Sequence, residues 1–391
     1  MSIYLDHAAT TPLREEVLEA MLPYLTEHFG NASSLHAAGR RARQGLDEAR
    51  EGIAAIIGAK PREIVFTSGG SEADNLALKG AAWAASAQGR HIVTSSVEHK
   101  AVLHACAILE RSGFEVTYLP VDRYGRIDPA EVEAAITDHT ALVSIMYANN
   151  EVGTIQPIAE IGAICRRAGV LFHTDAVQAG GYLPLDVDRL GVDLLSLAAH
   201  KVYGPKGVGA LFVRQGTALL PQIQGGAQER QRRAGTENVA GIVGFARAME
   251  LAQGDPAARE AENARLAGLR DRLLAAGGDI PDVETTGHPV ERLPHNASWL
   301  IEGVEGGDLV AALDLEGVAS STGSACTSGS AEPSHVLLAM GVEPERAHGA
   351  LRLTAGRSIS TEEIDRAGAV VKSSIMRMRD PAAPRSEAAS A

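Results

Sequence analysis

The chain has 391 residues, 45% of them hydrophobic and 22% charged, with a net charge of −13. The length suits a large domain with a smaller one, and the composition is that of an ordinary globular protein. Lys and Arg are scattered, which excludes a nucleic-acid surface as the main function; no run of about 18 apolar residues and no basic-then-apolar start exists, so a cytoplasmic protein without a membrane partner is expected.

Strand-like and helix-like segments alternate in chain order. Residues 63–67 read as a strand, Ser68-Gly69-Gly70 as a turn, and 71–85 as a helix with Ser71 and Asp74 in capping positions. Strands follow at 91–95, 115–119, 140–147, 170–174, 193–198 and 208–214, with helices at 101–112, 128–136 and 158–168 between them. This order implies an α/β domain with a mostly parallel sheet flanked by helices. From about residue 259 the texture changes: a helix over 257–276, a Gly/Pro/Thr-rich loop, then a smaller α/β section ending in a helix over 361–378. The expected organisation is a large domain over 13–258, a small domain from 1–12 and 259–380 carrying a mobile loop at 320–330, and a disordered tail at 381–391.

In such sheets ligands gather at the C-terminal strand ends. Polar groups cluster there: Ser68–Ser71, Ser96–His99, Asn149–Asn150 and Asp175. Lys201, in Ala199-His200-Lys201-Val202-Tyr203-Gly204-Pro205, follows an apolar strand and precedes a glycine-rich turn, an unusual setting for a solvated lysine. Burial lowers a lysine's pKa and fits it to form a Schiff base and to act as a base. Asp175, directly after another apolar strand, is either a helix cap or a carboxylate for a pyridinium nitrogen. Together Lys201 and Asp175 point to pyridoxal phosphate (PLP) and to carbanion chemistry on an amino acid. Gln178 stands where it can reach the same ring's phenolic oxygen. Ser68-Gly69-Gly70-Ser71 suits a phosphate at a helix N-terminus, though no Walker pattern follows. His99 is a candidate for stacking on the ring and relaying protons.

The three cysteines, Cys106, Cys165 and Cys326, form no Cys-x-x-Cys pair, so neither a disulfide framework nor a zinc site is expected. Cys106 and Cys165 sit on apolar stripes and read as inert. Cys326 lies among eleven small polar residues, 320–330, and is a nucleophile candidate; an unperturbed thiol, with pKa about 8.5, needs a nearby cation or base. The histidines offer no ligand pair beside a carboxylate cluster, so no metal is assigned.

With these motifs on the page, the chain resembles the NifS/IscS-type cysteine desulfurases, in the class V aminotransferase group of fold type I PLP enzymes, from Tyr4 to about Arg357. The resemblance is carried by Leu5-Asp6-His7-Ala8-Ala9-Thr10-Thr11-Pro12, Gly30-Asn31-Ala32-Ser33-Ser34-Leu35-His36, Thr67-Ser68-Gly69-Gly70-Ser71-Glu72, Glu98-His99-Lys100, Ala148-Asn149-Asn150-Glu151-Val152-Gly153, Asp175-Ala176-Val177-Gln178, His200-Lys201, Arg233-Ala234-Gly235-Thr236 and Gly323-Ser324-Ala325-Cys326-Thr327-Ser328. It implies that Lys201 carries PLP, Asp175 and Gln178 hold its ring, His99 stacks over it and Asn150 lies beside it. Gly70, Ser71 and His200 join the cofactor site, and Thr236 reaches the partner subunit's phosphate in a homodimer. Arg352 binds the substrate carboxylate. L-cysteine is converted to L-alanine, and its sulfur passes to Cys326 as a persulfide, then to a thiol or to an acceptor such as an iron–sulfur scaffold protein. Alternatives on the same scaffold are a selenocysteine lyase and another PLP-dependent amino-acid reaction with Cys326 idle; outside enzymes, the alternative is a non-catalytic sulfur-relay partner. Three positions depart from the pattern: Ala198 where many relatives have a phosphate-binding serine, Gly70 where Ala or Cys is frequent, and Ala32 where Pro is frequent.

Overall fold

A computed structural model describes residues 2–87, 89–323 and 332–380. In chain order it contains β1 (Ile3–Tyr4), α1 (Glu15–Thr26), α2 (Ala37–Ile57), β2 (Ile64–Thr67), α3 (Gly70–Ala84), β3 (His91–Ser95), α4 (Lys100–Arg111), β4 (Glu115–Leu119), α5 (Pro129–Ala135), β5 (Thr140–Ser144), α6 (Ile158–Ala168), β6 (Leu171–Asp175), α7 (Val187–Leu190), β7 (Leu194–Ala198) and β8 (Gly209–Val213). The remainder is α8 (Val239–Gln253), α9 (Pro256–Gly278), β9 (Val283–Thr285), β10 (Asn296–Ile301), α10 (Gly306–Leu315), β11 (Val318–Ala319), α11 (His335–Ala339), α12 (Pro344–Ala347), β12 (Ala350–Thr354) and α13 (Thr361–Arg379).

Seven strands form the main sheet in the order β2-β8-β7-β6-β5-β3-β4. Neighbours from β7 through β4 pair in parallel, while β8 runs antiparallel between β2 and β7. Helices cover both faces, so the strands are apolar on both sides, and successive residues alternate between two packing clusters. Ile64, Phe66, Val93, Val143, Leu195 and Phe212 join one with α2 and α8. Val65, Ile92, Leu142, Leu194 and Leu211 join the other with α3 and α4. A separate cluster gathers α9, α13 and the antiparallel sheet β12-β10-β9, around Trp299, Leu309 and Leu353. The chain's start belongs to it: Ile3 and Leu5 are buried there, β1 pairs with β11, and Asp6 bridges to Thr354.

The alternating elements lie where the periodicity places them, within one or two residues, except that β5 ends at Ser144 rather than 147. Helices α1 and α2 are additional to the sequence reading. One expectation is corrected. Neither Ser71 nor Asp74 caps α3: the helix starts at Gly70, its N-cap is Gly69, with φ of 151° and no side-chain cap, and Asp74 is buried. The backbone instead turns through Gly69 straight into the helix, with Thr67 Oγ1 donating to Gly69 O and Ser68 N to Glu72 Oε2. That leaves the first helical turn open to a ligand.

Candidate active site

The C-terminal ends of β2, β3, β5, β6 and β7 lie along one edge of the main sheet, and a cavity of about 380 Å³ opens there. Its volume is in the usual range for a small-molecule site. Lys201 enters from a 3₁₀ turn, Ala199–Lys201, that leaves β7. The turn is held by Ala199 N donating to Val208 O and by Gly204 N donating to Ala199 O. A Cβ at Gly204 would lie 2.8 Å from that same carbonyl, so only glycine permits the tight return. Tyr203 adopts φ of 64°, unusual for an aromatic residue. The lysine Nζ donates to the carbonyls of Ala8 and Ala9, the latter at 2.7 Å. The N-terminal segment thus forms part of the cavity wall.

Asp175 ends β6, and its carboxylate is buried against the cavity. One oxygen accepts from Val177 N at 2.9 Å, but a turn rather than a helix follows, so Asp175 is not the helix cap of the alternative reading. Burial raises its pKa, while His99 and Lys201 pull it back down. Gln178 also lines the cavity, and its amide donates to Ala8 O. His99 caps α4 through Nδ1, which accepts from Ala101 N at 3.1 Å, and the residue lines the cavity. His200 contacts Thr10 Oγ1, and burial, helped by the Lys201 charge, lowers its pKa to about 4. It is a neutral imidazole at physiological pH.

Gly70 and Ser71, in the open first turn of α3, line one end of the cavity, with Ala198 next to Gly70. Ala198 therefore faces the cavity, and its methyl offers no hydrogen bond where a serine would. Arg352, on β12, closes the other end. Its Nη1 donates to Asn150 O at 2.6 Å and Gly323 O at 3.2 Å, and Nη2 donates to Asp6 Oδ1 at 2.7 Å. Its Nε, fully buried, has no partner among the described residues. A guanidinium is a planar set of five donors, a fork of the kind a carboxylate takes.

Nine sequence-predicted residues meet in this wall: Gly70, Ser71, His99, Asn150, Asp175, Gln178, His200, Lys201 and Arg352. Thr236 does not; it is exposed, one residue beyond Gly235 with φ of 110°. Cys326 lies outside the described residues, but Gly323 and His335, on either side of that segment, both line the cavity. Cys106 and Cys165 are buried, and burial drives each thiol up to about 12, consistent with inert side chains. The sequence reading missed Asp74, Glu151 and His335 as wall residues, and Asp6 behind Arg352. His335 Nε2 is 2.9 Å from Glu98 O, and Ser334 Oγ donates to Glu151. The fused Glu-Pro-Ser-His string just past Cys326 was the available signal.

A half-buried lysine, a buried carboxylate, an open helix N-terminus and an arginine thus meet around one cavity at the C-terminal edge of the sheet. Residues 3–367 match the family described as Aminotransferase class-V, and the chain belongs to that family. It is 52% identical over 379 residues to "Cysteine desulfurase IscS" of Methanosarcina thermophila, covering 97% of this chain and 93% of that protein. It is 54% identical over 364 residues to a protein of the same name from Dictyoglomus turgidum, covering 93% and 92%. A solved structure described as a NifS-like protein superposes with a TM-score of 0.89 at 37% identity, over 95% of this chain and 98% of that one.

Proposed function

We propose that the chain is a pyridoxal phosphate-dependent cysteine desulfurase that converts L-cysteine to L-alanine and takes the sulfur on Cys326 as a persulfide. The observation that carries this is one cavity walled by Lys201, Asp175 and Arg352. The residues fit the cofactor: Lys201 for its carbonyl carbon, Asp175 for its ring nitrogen, His99 over the ring, Gln178 at its phenolic oxygen, Asn150 beside it, and Gly70 and Ser71 with His200 toward its phosphate. When bound, the cofactor supplies an electron sink for the substrate Cα.

The chain's own groups divide the remaining work. Arg352 holds the substrate carboxylate, and its bonds to Asn150, Gly323 and Asp6 fix the guanidinium plane. The Lys201 amine takes the Cα proton. Cys326 attacks the substrate sulfur; the sulfur–carbon bond breaks, its electron pair stays with the carbon, and a sulfur–sulfur bond forms. Cys326 is three positions beyond Gly323 in the wall, a chain reach of about 11 Å, so the thiol can meet the cavity and then an acceptor. Thr236, exposed in one chain, contacts the phosphate of the partner in a homodimer. The acceptor is a thiol or an iron–sulfur scaffold protein, and the enzyme works in the cytoplasm, where its buried free thiols stay reduced.

Purified Cys326→Ala should keep the yellow cofactor absorbance and lose alanine and sulfide formation from L-cysteine; retained activity removes Cys326 from the reaction. Lys201→Ala should lose the covalent chromophore, and an unchanged spectrum refutes the anchor. Selenocysteine turnover that survives Cys326→Ala while cysteine turnover does not would favour the lyase reading.

A further inference from the structure

The polar groups of the cavity wall include one that the proposed reaction does not use. Asp74 projects from the second turn of α3 toward the ends of β6 and β7 and is 1% exposed. Its ligand-capable oxygen lies within 4.8 Å of those of Asp175 and of a His99 nitrogen. Its Oδ1 has no hydrogen-bond partner among the described residues. The groups facing it are mostly unable to balance a charge. His173 Nε2 is 3.7 Å away, but that imidazole bonds Ser144 Oγ at 2.8 Å and Ser196 Oγ at 3.0 Å, and burial lowers its pKa to about 3, so it is neutral. Ser196 adds a hydroxyl contact. The other charges acting on Asp74 are those of Asp175 and Glu98, both acids, and the nearby cations, His99 and Lys201, act on Asp175. Two carboxylates at this separation, both buried, do not ionise together. Asp175 is the one that meets the cofactor and the cations. Asp74 is the one left with an orphaned oxygen.

We infer that Asp74 is held as a neutral carboxylic acid that donates its proton in a hydrogen bond to Asp175, so that the pair carries one negative charge, and that Asp74 is thereby a positioning residue for the carboxylate facing the cofactor ring. The inference rests on the reading of Asp175 given under the proposed function. In that arrangement Asp74 fixes the orientation of the Asp175 carboxylate. It also spreads the Asp175 charge, which keeps the carboxylate from holding the ring's proton too tightly.

Two arms test it. In cofactor-free protein, thermal unfolding is followed from pH 5 to pH 8.5 for the wild type, Asp74→Asn and Asp74→Ala. A carboxyl protonated in the folded state and ionised in the unfolded state loses stabilisation as pH rises. Asp74→Asn, which cannot ionise, should therefore gain on the wild type across this range by a few degrees; parallel curves overturn the inference. If Asp74→Asn does not fold, the wild type with labelled aspartate decides: a protonated-carboxyl infrared band near neutral pH supports the shared proton, and its absence overturns it. In the loaded enzyme, the pH midpoint of the cofactor absorbance is the second readout. Asn keeps an N–H donor to Asp175 and should leave the midpoint in place, while Ala removes the donor and should raise it by about one pH unit. An ionised Asp74 instead predicts that both variants lower the midpoint, which overturns the proposal. Protein that takes up no cofactor at all fails the functional reading, and the unfolding arm still decides Asp74.

Discussion

Glu98 shows how much of the site's electrostatics is fixed by single buried groups. It is fully buried, with Oε1 accepting from Ser95 Oγ at 2.6 Å and Met146 N at 2.9 Å, and Oε2 unpartnered. Burial, reinforced by the Asp175 charge, pushes its carboxyl up to about 8 from 4.5, against the pull of those hydrogen bonds. A carboxyl raised in the folded state stabilises fully below its unfolded value, and the contribution is lost as pH climbs toward the folded value. Between pH 5 and 8, Glu98→Gln should therefore flatten the fall in melting temperature, as differential scanning calorimetry would show. Arg352 makes a second argument at this scale. Its plane is held by three acceptors, so Arg352→Lys keeps the charge and loses the fork. Steady-state kinetics should show KM for L-cysteine up by about 10- to 100-fold, corresponding to about 1.4–3 kcal/mol of lost charge-assisted bonding, with a smaller change in kcat.

At the level of elements, the packing depends on a few positions where backbones approach closely. Gly162 on α6 sits against Leu190 of α7, and a Cβ there would meet the Leu190 carbonyl at 2.1 Å. Gly162→Ala should lower stability by about 1–3 kcal/mol through forced separation of the two helices, measured by denaturant unfolding. Helix α13 starts in a capping box, Ser360 accepting from Glu363 N and Ser360 N donating to Glu363 Oε2. Ser360→Ala should cost about 1 kcal/mol, with little effect on the cavity. The sheet elements were legible in the sequence because strands apolar on both faces and helices apolar on one leave period-two and period-3.6 marks, as at residues 91–95 and 158–168. Lys201, Asp175 and the Ser68–Ser71 turn were legible for a related reason: each sits at the junction of an apolar strand and a polar turn. Asp74 was not, since a polar residue three positions after a serine looks like a cap until the tertiary structure buries it. Asp6 beneath Arg352 was not either, because a pair separated by 346 residues leaves no local mark, and the slot of β8 between β2 and β7 is likewise set by pairing rather than by composition.

For the whole molecule, the surface carries a stripe that a lone chain does not explain. Leu18, Leu22 and Leu25 lie at i, i+4 and i+7 on one face of α1 and are 42%, 47% and 58% exposed. Such a face suits subunit contact, as the homodimer proposed for Thr236 requires. Leu22→Asp with Leu25→Asp should halve the mass seen by light scattering and weaken cofactor retention; an unchanged mass assigns the stripe another purpose. No helix among the described residues is long and apolar enough to cross a membrane.

The N-terminal segment has a consequence for how the protein comes into being. Residues 3–9 are made long before their partners: Ile3 pairs with Val318, His7 N donates to Thr354 O, and Ala8 N donates to Thr354 Oγ1. Those neighbours are synthesised after every strand of the main sheet, so this stretch stays without its partners while the seven-stranded sheet is already able to form. The carbonyls of Ala8 and Ala9 that receive Lys201 arrive with it. The cavity is therefore completed only once residue 354 has been made, and a nascent chain halted before it would hold a folded sheet around a lysine that lacks its N-terminal wall.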